Sequence, residues 1–227
     1  MSETSPVRPV AFTSKADAVY TELRQRILDG EIRPSSSLNQ EQLATMLGVS
    51  TTPLREALRR LEAEGFVRTV AHREMVVAPI EIEELVALYE VRRNLDPLAA
   101  GLAAERYGVD DRARMVAALE ALRADSIDES RTSLNREFHA AIYHSCQNLV
   151  LIELLDQLWD RADRYRRLIG RLSGDLNTYL EHEKLLQSVL DRDPDEATRL
   201  MRDHLLKSGT LIEEQLRVGE SESNSLV

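Results

Sequence analysis

Residues 38–69 read LNQEQLATMLGVSTTPLREALRRLEAEGFVRT. Apolar residues recur here at three- and four-residue spacing twice, first as Leu43, Ala44 and Leu47, then as Leu54, Ala57, Leu58 and Leu61. That period puts each set on one face of an α-helix. Gly48 suits a left-handed C-cap between them. Thr52-Pro53 predicts the start of the second helix, because proline is tolerated at the first helical position. Gly65 stops it. Two helices joined through GVST, with small residues where they cross, predict a helix-turn-helix whose second helix enters the major groove by its N-terminal end.

The same logic extends outward. Ser14 is a candidate N-cap for a supporting helix carrying Val19, Leu23, Ile27 and Leu28, which Gly30 ends. EIRPSSSLNQ then reads as a turn-rich link. After Gly65, Phe66–Thr69 and Met75–Ala78 read as two short strands with VAHRE as the hairpin tip, and Pro79 closes the unit. Residues 1–13, rich in Ser, Thr and Pro, read as a flexible arm and 14–79 as a winged helix-turn-helix.

From Ile80 the pattern is nearly all helical. Helices are expected near 81–106, 110–126, 128–146, 149–171, 174–192 and 195–217, with a disordered polar tail over 218–227. Six helices make an antiparallel bundle the natural architecture for 80–217. The expected fold class is therefore mainly α, a winged helix-turn-helix followed by a helical bundle.

A net charge of −10 runs against a nucleic-acid binder until its distribution is read. Residues 1–79 hold ten Lys and Arg against ten Asp and Glu, whereas 80–227 hold nineteen against twenty-nine. The acidity belongs to the bundle, which phosphates repel, while a neutral first unit binds DNA if its arginines share a face. One cysteine, Cys146, excludes an internal disulfide and fits a reducing cytoplasm. No apolar run is long enough to span a membrane.

Candidate DNA-binding residues follow from helix position. Ser50, Thr51 and Thr52 lead the second helix and favour phosphate. Arg55 is placed for a guanine edge or a phosphate, and Arg59, one turn on, for the backbone. His72 and Arg73 at the hairpin tip would reach the adjacent minor groove or a phosphate. REALRRLEAEG alone would equally suit a solvated surface helix; the order of helix, turn, helix, Gly and two strands is what argues otherwise.

LATMLGVSTTPLREALRRLEAEGFV resembles the winged helix-turn-helix of GntR-type bacterial regulators, over residues 15–79. The sequence departs from that pattern at Thr51, where an Arg is usual after GVS, and at the tip, where HRE replaces a Gly-containing turn. LYEVRRNLDPLAAGLAAE, NREFHAAIYHSCQN, EHEKLL and DHL resemble the ligand-sensing domain of the FadR-like (FCD) branch, over about 81–215, in the shorter six-helix VanR-like form.

Asn135 and His139, at i and i+4, project from one helix face. With His182 and His204 from the last two helices, three imidazoles and an oxygen donor could surround one divalent ion, or they could be unrelated helix histidines. The resemblance favours the metal, because family ligands fall on these four positions; the first is commonly Asp and is Asn135 here. Zinc is expected first, nickel or manganese next. Arg92 shares an apolar face with Leu85, Leu88, Leu95 and Ala99, so its guanidinium needs an anionic partner. That partner is either Asp96 at i+4 or, as the resemblance favours, a carboxylate effector, with Tyr143 lining the same cavity. His144 faces elsewhere.

The resemblance thus implies a cytoplasmic homodimer that binds a palindromic double-stranded operator and is relieved from repression by a small organic acid. Two rivals stand beside it. One is a metal-dependent enzyme, disfavoured because Glu137, Glu181 and Glu183 are off the histidine faces. The other is a DNA-binding dimer that senses nothing.

Overall fold

The computed structural model describes residues 14–70, 74–124, 128–170 and 179–224. They form α1 (Lys15–Leu28), α2 (Gln40–Leu47), α3 (Thr51–Ala63), β1 (Val67–Thr69), β2 (Met75–Val77), α4 (Ile82–Arg106), α5 (Val109–Ala124), α6 (Asp128–His144), α7 (Leu149–Gly170), α8 (Tyr179–Leu190) and α9 (Pro194–Asn224). The chain divides into two compact units, 1–78 and 79–227.

In the first unit Ser14 caps α1 in a capping box with Asp17. Asn39 caps α2 through its side-chain oxygen. Gly48 ends α2 at φ 63°, a left-handed conformation that only glycine adopts without strain. Helix α3 begins at Thr51 with Ser50 as N-cap, so Pro53 sits at the third helical position. The start is thus earlier than Thr52-Pro53 suggests, since a proline anywhere in the first turn forfeits no intrahelical bond. Leu54, Ala57, Leu58 and Leu61 are buried with Val19, Leu23, Ile27, Leu28 and Phe66 in one core. Strands β1 and β2 pair antiparallel, Val67 opposite Val77 and Thr69 opposite Met75. The link before α2 is more than a turn. Ser37 bridges Val76, and Leu38 N–H donates to Met75 O at 2.8 Å, so this segment forms a third edge of the wing. The tip residues His72 and Arg73 and the arm 1–13 lie outside the described residues.

The second unit holds six helices among the described residues. Helix α9 runs to Asn224, so residues 218–224, expected as tail, continue it. The core gathers Leu85, Tyr89, Phe138, Ile142, Trp159, Leu185, Met201 and Leu205, among others. Helix α4 packs along α9 more extensively than any other pair. The approach is close because glycines remove side chains at two levels. A Cβ on Gly101 would stand 2.5 Å from Thr198 Oγ1 and 3.2 Å from Pro194 O, and one on Gly209 would stand 2.6 Å from Tyr89 Cδ1. These contacts set the register that brings the middle of α4 beside the middle of α9.

Gly101→Ala is expected to destabilise the protein by about 1–3 kcal/mol, through overpacking at a backbone contact. A denaturant midpoint unchanged from wild type would contradict this account of the α4–α9 contact.

Candidate metal centre and DNA-reading helix

Three helices deliver one imidazole each to the bundle core. His139 comes from α6, His182 from α8 and His204 from α9, and they are 0%, 1% and 4% exposed. One ring nitrogen from each lies within 4.8 Å of the others. His139 Nε2 and His182 Nε2 are 3.2 Å apart. Nitrogens around a tetrahedral ion, each about 2.0–2.1 Å from it, lie at a similar spacing.

The tautomer of His204 follows from its neighbour. Its Nδ1 is 3.0 Å from Glu181 Oε2, and Lys207 Nζ donates to Glu181 Oε1 at 2.6 Å. The hydrogen bond from His204 lowers the Glu181 carboxyl to about 2, with Lys207 helping and partial burial opposing. An ionised carboxylate only accepts. His204 Nδ1–H therefore donates, and its Nε2 lone pair is left free. That Nε2 is buried with no hydrogen-bond partner, and so is His139 Nδ1. Burial holds His139 well below the usual histidine range, and His182 and His204 depress it further. Burial also lowers His204. Converging imidazoles, two of them with unused nitrogens and shifted toward the neutral form, are the donor set that suits a divalent cation.

Asn135 is 6% exposed, one turn before His139, and its Nδ2 has no partner. Arg92 is fully buried. Its Nε donates to Asp96 Oδ2 at 3.2 Å and its Nη2 to Asp96 Oδ1 at 3.4 Å, so the expected i,i+4 pair forms. Asp96 Oδ1 also accepts from Trp159 Nε1 at 2.8 Å. The guanidinium lies 3.8 Å over the Trp159 ring, and that ring stacks 4.8 Å from His139. Arg92 Nη1 keeps no partner. The pair with Asp96 thus leaves one cationic donor over.

Tyr143 departs from expectation. Its hydroxyl donates to Asp156 Oδ1 at 2.6 Å, an oxygen that His144 Nε2 also approaches at 3.3 Å. The carboxylate across the helix pair claims the phenol, so the hydroxyl is not presented to the histidines. His144 is half-exposed on that side of α6. Glu181, set aside in the sequence as lying off the histidine faces, is in fact 3.0 Å from His204, and Arg166 is a contributor that the sequence did not indicate. Glu181 neighbours His182 in sequence but serves His204, a pairing set by how α8 meets α9. Arg166 lies 5.7 Å from the Trp159 ring and lowers both His139 and His204 through its charge. Only its spacing of seven from Trp159 hinted at a shared face.

In the first unit, Ser50 at the N-cap of α3 and Thr51, Thr52, Arg55 and Arg59 along it are all exposed. The Ser50 side chain makes no capping bond, so the helix N-terminus keeps unmet donors. Arg55 Nε donates to Gln40 Oε1 at 3.1 Å, which orients it toward α2. Arg60 is used internally: Nη1 donates to Asp17 at 2.6 Å and the guanidinium lies 4.0 Å over Tyr20.

This combination defines a two-domain transcription regulator, a winged helix-turn-helix followed by a helical bundle. The chain belongs to the bacterial regulatory proteins of the gntR family, whose profile matches residues 15–77, and its bundle is an FCD domain, matched over 87–207. It is 30% identical over 209 residues to the HTH-type transcriptional repressor GlaR of Escherichia coli K12, covering 87% of this chain and 95% of that protein. It is 32% identical over 189 residues to the Nta operon transcriptional regulator of Aminobacter aminovorans, covering 82% and 88%. A GntR-family regulator structure from Pseudomonas syringae pv. tomato matches at 28% identity and TM-score 0.58, covering 92% of this chain and 89% of that one. E. coli McbR/YncC matches in fold at 23% identity and TM-score 0.74, covering 90% and 100%. These are DNA-binding regulators rather than enzymes.

Metal-free protein is expected to lose stability as pH falls below about 6.5. Histidines in the unfolded chain take up protons there, while the depressed His139 and His204 do not. Falling pH therefore favours the unfolded state, and the contribution is fully present only above that range. Melting temperatures in EDTA at pH 8 and pH 5.5 check this. A His139→Leu variant should show a shallower decline, and an equally steep one would count against the assignment.

Proposed function

We propose that this regulator senses a small organic acid through a divalent ion in its FCD domain and represses transcription until the acid binds. The observation that carries the reading is the convergence of His139, His182 and His204, with unused nitrogens on two of them, beside the spare donor of Arg92. Asn135, one turn from His139, would supply an oxygen as fourth ligand, a neutral one where the family commonly has a carboxylate. Zinc suits the donor set first, nickel and manganese next. A bound ion would supply a Lewis-acidic partner for a carboxylate oxygen. Arg92 would bind and orient the same carboxylate, with Asp96 and Trp159 holding its guanidinium flat.

On the DNA side, Ser50, Thr51 and Thr52 would bind phosphate at the exposed start of α3. Arg55 would reach a base edge, Arg59 the backbone, and His72 and Arg73 the neighbouring groove. A homodimer reading a palindromic operator follows from the symmetry logic of such motifs. Repression is supported by the name of the relative GlaR. The effector acts by preferring one arrangement of the paired wings, as linkage requires.

Three measurements test this. Metal analysis of purified wild type should find about one divalent ion per chain, and His139→Ala should abolish it; metal-free wild type would remove the metal centre from the reading. Glu181→Leu should weaken zinc binding by about 10–100-fold, because His204 loses the carboxylate that fixes its tautomer. Unchanged affinity would mean Glu181 is only a surface residue. In a mobility shift on the chain's own upstream DNA, Arg55→Ala should cost about 1–3 kcal/mol of binding. Equal binding by mutant and wild type would displace α3 as the reading helix.

A further inference from the structure

Arg55 does not stand alone on the surface of α3. Its Nε donates to Oε1 of Gln40, the first residue of α2, at 3.1 Å. The other end of that amide is used too, since Gln40 Nε2 donates to Met75 Sδ at 3.6 Å. Met75 belongs to β2, so one half-buried side chain touches the reading helix and the wing together. The Gln40 backbone is fixed from both sides. Asn39 caps α2 by accepting from the N–H groups of Glu41 and Gln42, and Leu38 N–H donates to Met75 O at 2.8 Å.

The residue type matters as much as the contact. Gln40 offers Arg55 one acceptor oxygen, and that oxygen takes Nε. Both Nη nitrogens stay available, because among the described residues Arg55 has no other hydrogen-bond or ion-pair partner. Two parallel donors are what O6 and N7 of a guanine accept in the major groove. A carboxylate in place of the amide would engage two donors of the fork and offset its charge. Arg60, further along α3, shows the effect of an acidic partner: Asp17 holds it, and it serves α1 instead. Arg55 is also the only cation among residues 50–58, so its orientation decides where positive charge stands at the start of the helix. A long side chain that must be ordered during binding weakens the complex by roughly two- to tenfold, and one already ordered avoids that loss.

We propose that Gln40 is the positioning residue for base reading. It braces Arg55 against β2, so that the guanidinium meets a guanine edge already oriented. The inference rests on the assignment of Arg55 to a base edge above and adds a residue that acts through Arg55.

The test is a double-mutant cycle on the full-length chain, read by fluorescence anisotropy on two duplexes. One is the duplex that the wild-type chain enriches most from a randomised pool, and the other is a shuffled duplex of the same composition. Gln40→Met keeps the length of the side chain and removes the acceptor. It should weaken the enriched duplex about three- to tenfold per half-site, leave the shuffled duplex and the melting temperature unchanged, and add nothing once Arg55→Ala is in place. Methylation interference probes guanine N7. There Gln40→Met should weaken the signal at the same guanines that Arg55→Ala silences and spare the rest. Gln40→Ala, which suits a helix better still, should give the same pattern and guards against a variant that fails to fold. Unchanged affinity for the enriched duplex, an equal loss on both duplexes, the same loss in the Arg55→Ala background or interference weakened at every guanine overturns the role of Gln40. A wild type that enriches no sequence, or an enriched duplex indifferent to Arg55→Ala, overturns the reading of Arg55 together with it.

Discussion

Three imidazoles share a volume that water does not reach, and the surrounding polar groups are arranged around that constraint. Protonating His139 would place a charge in a low-dielectric core against two neighbouring rings, which holds it well below the usual histidine range. Neutral rings face each other with lone pairs, which repel unless a proton or a cation lies between them. The carboxylate of Glu181 settles one tautomer from outside the cluster. Asp96, Trp159 and Arg92 settle the opposite wall through a shared hydrogen-bonded and stacked arrangement. The core is thus polar at its centre and apolar around it. Such a core is stable only if its buried groups find partners.

That centre depends on helix spacing several turns away. Gly101 against Thr198 and Gly209 against Tyr89 let α4 and α9 meet with little between them. The contact places Arg92 and His204 in the same stretch of the bundle. In the DNA-binding unit the arginines of α3 divide by position. Arg60 faces back to Asp17 and Tyr20 and holds α1. Arg55 and Arg59 are exposed, and the N-terminal end of the helix ahead of them is where its dipole favours phosphate. One helix therefore serves its own core and an outside partner with the same residue type.

The helical period, the glycine stops and the capping residues made most of the elements legible. Leu54, Ala57, Leu58 and Leu61 had to be buried, and they are. Gly48 had to be left-handed, and it is. Misreadings came where local signals are ambiguous. Pro53 marks a first turn without saying which residue of it, and a polar run such as 218–224 extends a helix when the preceding turns are already packed. The bridge from Ser37 to Val76 had no period to announce it, since a single pairing leaves no repeat.

For the site, the sequence by itself determined which chemistries were available. Asn135 and His139 share a face because a helix repeats every 3.6 residues, and Arg92 on an apolar stripe needed an anion. It also determined that Asp96 could answer Arg92, since i and i+4 are neighbours on any helix. Only the tertiary structure decided the rest. It brought His182 and His204 to His139, gave Glu181 to His204, turned Tyr143 toward Asp156 and left one oxygen of Asp163 unmet. Each of these joins residues on different helices, and their proximity depends on crossing angles and register that close packing sets across the whole bundle. Local periodicity carries no information about them.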